Sequence, residues 1–98
     1  MSLPTFLTPD AQDDIDAATA WYESIQVGTG DPFLADFFAV LASIGQMPEI
    51  FGILHRRTRA APLAHHKYNI YYRVESDKVI ITAVQHASAD PKKWQRRR

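Results

Sequence analysis

The chain has 98 residues, of which 46% are hydrophobic, and it carries no formal net charge at pH 7. A chain of this length buries roughly 60–70% of its unfolded surface, so we expect one modest core and a single domain over residues 1–98. The absence of cysteine excludes disulfides and thiolate metal sites, and a cytoplasmic protein is the expectation. No apolar run approaches the ~20 residues of a membrane span, and the first residues do not resemble a secretory signal.

The zero net charge conceals a separation of charge along the chain. Residues 1–54 contain eight acidic residues and no lysine or arginine, whereas residues 55–98 contain all 11 basic residues and three acidic ones. The two parts therefore carry −8 and +8. One interpretation is that the parts attract each other and that the acidic residues favour helix starts. The other is an electropositive surface that faces an anionic partner, either nucleic acid or an acidic protein.

The pattern predicts a strand and a helix at the start of the chain. Thr5-Phe6-Leu7 is a short apolar run, typical of an edge strand. Thr8 then supplies an N-cap, Pro9 fits the first helical position because its missing N–H costs nothing there, and Asp10 suits the helix dipole. Apolar side chains continue at helical spacing up to the glycines at positions 28 and 30, at Ala11, Ile15, Ala18, Tyr22 and Ile25.

A second helix is predicted after a short glycine loop. Asp31 is its N-cap candidate, and Pro32 repeats the start signal of the first helix. We expect the helix to close at Gly45 and Pro48. Two helices joined by a short loop pack antiparallel, so the sequence predicts a helical hairpin. The apolar stripe of the second helix consists of Phe33, Phe37, Val40, Leu41 and Ile44.

The rest of the chain is typical of β-structure. Residues 47–54 are irregular, and His55–Ala64 is a strand whose Pro62 places it at an edge or a bulge. Two runs rich in Val, Ile, Tyr and Thr then flank Ser76-Asp77, which predicts a hairpin. The order β-α-α-β-β-β implies an α+β domain in which a helical hairpin packs on a small, largely antiparallel sheet.

The register of this hairpin decides which side chains share a face. A two-residue turn pairs Val74 with Val79 and, by extension, Ile70 with Ala83. One face is then apolar and must cover a core, with Tyr68, Ile70, Tyr72, Val74, Val79, Ile81 and Ala83. The other face is mixed and is the expected place for function, with Lys67, Asn69, Tyr71 and Arg73 opposite His86, Val84, Thr82 and Ile80.

Common catalytic and metal-binding motifs are not found. There is no phosphate loop, dinucleotide fingerprint or nucleophile elbow. His55, His65 and His86 lack the spacing of zinc ligands, so we expect no metal and no cofactor. The acidic residues around Asp14 are interpreted as solvated partners of the helix dipole, and the arginines at positions 96–98 as a mobile charged tail.

Basic side chains interleaved with Tyr and Trp remain as candidates for contacts to phosphates and bases. The alternative is a solvated strand face on which Lys and Arg stems cover apolar surface. The candidates are Arg56, Arg57, Arg59, Lys67, Arg73, His86, Lys92 and Lys93.

Several short motifs follow one another along the chain. They are Phe6-Leu7-Thr8-Pro9, Ala20-Trp21-Tyr22-Glu23, Gly28 to Phe33, Pro48-Glu49-Ile50-Phe51, Tyr68 to Val74, and His86 with Asp90-Pro91 and Trp94. This ordered set resembles the RelE/ParE superfamily of bacterial toxin–antitoxin toxins over nearly the whole chain. The resemblance implies the same β-α-α-β-β-β fold and a cognate antitoxin, ParD-like or RelB-like, that wraps the toxin and neutralises it in a hetero-oligomer.

The resemblance implies one of two activities. RelE-like members cut messenger RNA in the ribosomal A site, whereas ParE-like members poison DNA gyrase and show no nuclease activity. Asn69 and Ala89 stand where nuclease members and many relatives carry arginine, and a transition state that accumulates negative charge needs fixed cations. We therefore favour gyrase inhibition. The alternatives are a ribonuclease that uses His86, Arg73 and Lys67, and a non-toxic member that still binds its antitoxin. The expected target-binding residues are Arg59, Asn69, Tyr71, Arg73, His86, Lys93 and Trp94.

Overall fold

The computed structural model describes residues 2–97, in which two long helices pack on one face of a five-stranded sheet. The elements are β1 (Thr5–Leu7), α1 (Pro9–Ile25), α2 (Gly30–Gln46), β2 (Ile53–His55), β3 (Thr58–Pro62), β4 (Tyr68–Val74), β5 (Val79–His86) and α3 (Pro91–Gln95). The strand order is β1-β5-β4-β3-β2, with β1 parallel to β5 and the other neighbours antiparallel. The predicted α+β class, with a helical hairpin on a largely antiparallel sheet, is confirmed. We call the sheet face beneath α1 and α2 the inner face, and the opposite face the outer face.

The start of α1 follows the predicted capping. The Thr8 hydroxyl accepts a hydrogen bond from the amide of Ala11 at 3.1 Å, and Pro9 occupies the first turn. The helix ends at Ile25, before the glycine loop, and Gly28 lies in the left-handed region with φ +92°. A glycine adopts this conformation at no steric cost, so the chain can reverse here.

The junction between α1 and α2 differs from the prediction. The second helix begins at Gly30, with Thr29 as its cap residue, and not after an Asp31 cap. The carboxylate of Glu23 accepts hydrogen bonds from the amides of Gly28 (3.1 Å) and Gly30 (2.8 Å), which lowers the pKa of Glu23. A carboxylate from α1 thus takes the place of a local cap. A Cβ at position 30 would lie 2.9 Å from Cγ of Glu23, so this approach requires a glycine.

The single strand predicted for His55–Ala64 is two strands. Ile53–His55 and Thr58–Pro62 pair antiparallel and are joined by a turn at Arg56 and Arg57. Arg56 has φ +55°, which is uncommon for a residue other than glycine. No turn-forming residue type marks this reversal in the sequence, which explains why it was not predicted.

The register of the β4–β5 hairpin holds only for its first half. Val74 pairs with Val79 and Tyr72 with Ile81 as predicted, but Tyr71 pairs with Ala83. Thr82 is therefore an extra residue in β5, a β-bulge, and beyond a bulge every side chain changes face. The predicted pairing of Ile70 with Ala83 is wrong because Ile70 pairs with the next residue, Val84.

The main core lies between α1, α2 and the inner face. The bulge exchanges two predicted positions, since Val84 packs in this core and Ala83 lies on the outer face. No helix within residues 2–97 is long and apolar enough to cross a membrane. The buried core residues are Ala11, Ile15, Ala18, Phe33, Phe37, Ile44, Ala61, Leu63, Ile70, Tyr72, Val79, Ile81 and Val84.

Candidate functional site

Asp36 of α2 anchors the loop between β3 and β4. Its side chain is only 3% exposed, and its two oxygens accept hydrogen bonds from the amides of Ala64 (3.0 Å) and His65 (2.8 Å). Nδ1 of His66 lies 2.7 Å from the same carboxylate. Burial alone would raise the pKa of Asp36, but the His66 ring and the two amides together hold it below its usual value. This network is structural, and because the partners lie about thirty positions apart along the chain, no sequence pattern indicated it.

Asp14 of α1 anchors the β-bulge and the end of the chain. Its carboxylate accepts a hydrogen bond from the amide of Val84 at 2.9 Å and pairs with the guanidinium of Arg97 through Nη1 and Nη2. Hydrogen bonding to Asp14 also raises the pKa of Arg97. Two expectations are corrected here. Asp14 is not simply a solvated partner of the helix dipole, and Arg97 does not belong to a mobile tail, while Arg98 lies outside the described residues.

Arg59 lies on the inner side of the sheet, where its guanidinium serves the fold. It pairs with Tyr72 across β3 and β4, and Nη1 donates to the carbonyl oxygens of Phe51 (2.7 Å) and Glu49 (3.3 Å). The Tyr72 hydroxyl donates to the carbonyl of Pro48 at 2.7 Å. Both side chains therefore hold the loop between α2 and β2, which leaves Arg59 little freedom to contact a target.

Two of the expected target-binding aromatic residues form a stack on the outer face. The rings of Tyr71 and Trp94 lie 4.3 Å apart between centroids at an angle of 10°, and each residue is 4% exposed. Ala83 completes this cluster, and the ring of His55 meets Trp94 edge-on at 6.0 Å. The short helix α3 is started by Asp90, whose side chain accepts a hydrogen bond from the amide of Lys92. Trp94 thus fastens α3 to the sheet, and a target can reach only the edges of the stack.

The bulge moves His86 away from the outer face. It pairs with Tyr68, and the two rings meet edge-on at 5.3 Å on the helix side of the sheet. Nδ1 of His86 accepts a hydrogen bond from the amide of Ser88 at 3.1 Å. Burial raises the pKa of the neighbouring Tyr68, so its phenol stays protonated at neutral pH. The predicted position of His86 opposite Lys67 on the mixed face is wrong.

The remaining candidates lie far apart. Asn69 donates to the Tyr71 hydroxyl at 3.2 Å on the outer face, and Lys93 is exposed on α3. Lys67 directly precedes β4, whereas Arg73 lies six residues further along, roughly 20 Å away at the rise of an extended strand. The structure brings together His86 and the Lys67 backbone, through the amide of Ala87, but it does not bring Arg73 to them.

Arg73 lines a basic cleft at the opposite end of the outer face. The cleft has a volume of about 510 Å³ and lies between the β2–β3 turn, the end of β4 and the end of α3. Five of the eight lining residues are arginines, contributed by three separate parts of the chain. The lining residues are His55, Arg56, Arg57, Thr58, Arg73, Gln95, Arg96 and Arg97. The sequence marked Arg56, Arg57 and Arg73 as basic candidates, but His55, Arg96 and Arg97 joined the site only through the fold.

An apolar groove lies on the other side of the molecule, between α1 and α2. Its volume is about 500 Å³, and Ile15, Leu34 and Phe37 lie along it. Phe38 at its edge is 58% exposed. Exposed aromatic surface beside a groove is typical of a protein-binding site. Within residues 2–97 there is no group of three side chains suited to hold a metal ion.

Of the comparisons with known proteins, one identifies the family and one supports the fold. A family model described as the ParE toxin of type II toxin–antitoxin systems, parDE, matches residues 6–91. A solved structure described as the chromosomal ParDE toxin–antitoxin system from P. aeruginosa contains a similar chain, with a TM-score of 0.75 and 16% sequence identity. The similarity covers 87% of this chain and 96% of that one. A search of curated proteins finds no match.

Proposed function

We propose that this chain, which belongs to the ParE toxin family of type II toxin–antitoxin systems, inhibits DNA gyrase by binding it and is neutralised by a cognate antitoxin of the ParD type. The family match and the resemblance of the sequence to gyrase-poisoning toxins support the gyrase target. The observation that carries the proposal is the separation of the groups that a ribonuclease would need to bring together.

An RNA-cleaving site needs fixed cations around the phosphate that accumulates charge, together with an acid or base within hydrogen-bond reach. Arg73 lies roughly 20 Å from Lys67 along β4, and His86 is on the other face of the sheet. Asn69 is neutral and is bonded to the Tyr71 hydroxyl. With these groups apart, binding accounts for toxicity better than catalysis does.

The groove between α1 and α2 supports the antitoxin as partner. Antitoxins neutralise by occupying their toxin, and an amphipathic segment needs an apolar channel for its side chains. Leu34 is half-buried in the groove and Phe38 stands exposed beside it, while the buried Ile15 and Phe37 form its floor. We expect an antitoxin helix to seat its apolar side chains here.

The test compares two assays on the purified toxin without its antitoxin. Gyrase supercoiling of relaxed plasmid should fall as toxin is added, while translation in a cell-free extract continues. Unaffected supercoiling together with arrested translation and cut messenger RNA would refute the gyrase proposal.

One observation favours a second candidate, the ribosome-dependent ribonuclease. His86 is exposed, and the Lys67 backbone lies beside it at the same end of the sheet. If these side chains act on RNA, His86→Ala and Lys67→Ala should lower toxin potency in cells by roughly a hundredfold or more, as expected when a general acid or base is lost. We expect both variants to keep full potency.

A further inference from the structure

The basic cleft is rich in hydrogen-bond donors and poor in carboxylates. Only two of its five arginines form ion pairs within residues 2–97: Arg97 with Asp14, and Arg73 with Glu75 at 3.3 Å. Arg56, Arg57 and Arg96 are exposed and have no such partner. Three guanidinium groups from two separate parts of the chain therefore converge on one cavity without compensating charge.

Arg73 has donor capacity that the fold does not use. Its Nε donates to Glu75, while Nη1 is buried and has no hydrogen-bond partner. A guanidinium donor left without an acceptor costs free energy, and an anion in the cleft would recover it. The Arg56 backbone adds a second indication, because a left-handed conformation in a residue other than glycine is often kept at functional sites.

The lining favours phosphate over an acidic peptide. Protein segments bind through aromatic and aliphatic anchors in apolar pockets, with charges at the rim. Here no aliphatic side chain lines the cleft, and its one ring is His55, which packs against Trp94. Phosphodiester groups need only forked N–H donors, and arginine supplies them in the matching planar geometry.

We propose that this cleft binds the phosphate groups of a nucleic-acid backbone, held chiefly by Arg56, Arg57, Arg73 and Arg96. Recognition is independent of base sequence, since the lining holds no Phe, Tyr or Trp for stacking and its one ring, His55, packs against Trp94. The site lies at the opposite end of the sheet from His86, so it would serve a toxin directed at gyrase or one directed at the ribosome.

The experiment measures fluorescence anisotropy of a short labelled DNA duplex with the purified full-length toxin over a range of salt concentrations. Three variants each lose one positive charge: Arg57→Gln and Arg73→Gln in the cleft, and Lys78→Gln, which lies on the β4–β5 turn and does not line it. We expect each cleft variant to weaken binding by roughly tenfold at low salt. Each should also make the slope of log K against log salt shallower by about 0.9.

The Lys78→Gln toxin should bind DNA with an affinity within about twofold of that of the wild type. The two cleft variants should also bind a single-stranded RNA of the same length more weakly than the wild type does. Equal binding of DNA by all four proteins would overturn the proposal. The proposal would also be overturned if Arg57→Gln and Arg73→Gln weakened binding of a glutamate-rich peptide but left binding of DNA unchanged. Arg57 lies on an exposed turn, so its variant remains informative even if Arg73→Gln fails to fold.

Discussion

The two faces of the sheet treat charge in opposite ways. On the inner side, Asp36 and Asp14 reach from the helices to backbone amides and to one side-chain partner each, His66 and Arg97. On the outer face, the stack of Tyr71 on Trp94 covers part of the sheet, and exposed arginines line an open cleft beside it. The inner carboxylates are thus paired, whereas Arg56, Arg57 and Arg96 line the cleft without an ion-pair partner among residues 2–97.

This difference explains the charge separation along the sequence. The structure bears on the first interpretation, attraction between the acidic and basic parts, while the anionic partner stays a prediction. Attraction between the acidic and basic parts is realised at Asp14 with Arg97. The positive charge that remains concentrates at the β2–β3 turn and the end of α3. Three of the five arginines of the basic cleft form no ion pair within the described residues.

The largest loss in the free energy of unfolding should come from removing the Trp94 ring, which covers Tyr71 on the outer face. Trp94→Ala should lower the free energy of unfolding by about 3–5 kcal/mol, because a fully buried aromatic ring leaves a cavity against Tyr71. Urea denaturation followed by circular dichroism measures it. Trp94→Phe keeps a ring on Tyr71 and should lose clearly less. If Trp94→Ala is as stable as the wild type, α3 does not depend on this stack.

A slightly smaller loss is expected when the inner network is broken. Asp36→Ala removes the acceptor of the Ala64 and His65 amides and the partner of His66, so we expect a loss of about 2–3 kcal/mol in the free energy of unfolding. Asp16→Ala, on the exposed side of α1, is the matched control and should change it by less than about 0.5 kcal/mol. Equal effects of the two substitutions would show that Asp36 does not organise the β3–β4 loop.

The stability of the protein should depend on pH through Asp36 on the inner side of the sheet. Because the pKa of Asp36 is lower in the folded than in the unfolded protein, its contribution is complete above the unfolded value of about 3.9 and is lost as pH falls through the folded pKa. Urea midpoints measured from pH 6 down through about pH 3 should therefore decline more steeply for the wild type than for Asp36→Asn. Parallel curves would contradict the assignment.

Substituting an arginine of the cleft should have the smallest effect on the free energy of unfolding. Arg57 is exposed on the β2–β3 turn and forms no ion pair within the described residues, so Arg57→Gln should change the free energy of unfolding by less than about 0.5 kcal/mol. The same urea titration measures it. A loss comparable to that of Asp36→Ala would mean that the cleft arginines serve the fold, and the contrast between the faces would fail.

The sequence predicted what depends on local pattern. The Thr8 cap, the periodicity of Ile15 and Phe37, and the Val74–Val79 pairing are all set by neighbours along the chain. The bulge at Thr82 could not be predicted, because the amide of Val84 beyond it donates to Asp14 of a distant helix, a contact that no local pattern indicates. That one inserted residue moved His86 to the other face and so changed the candidate site.

The other cleft residues could not be predicted either, because they meet only through contacts between distant parts of the chain. Arg97 and His55 enter the cleft only when the end of α3 lies beside the β2–β3 turn, and that placement is fixed by Trp94. Tyr71 was predicted to contact a target because it alternates onto the outer face of β4. In the structure its ring is buried against Trp94. Alternation shows which residues share a face, but it does not show whether a later helix covers them.

The most direct test of toxicity by binding is a supercoiling titration with the double variant His86→Ala, Lys67→Ala. We expect this protein to inhibit purified gyrase as well as the wild type does, with inhibition complete when toxin is about equimolar with gyrase. A wild-type protein that leaves supercoiling unaffected even in molar excess would contradict the account, whereas an inactive double variant would place the gyrase contact at the histidine end of the sheet.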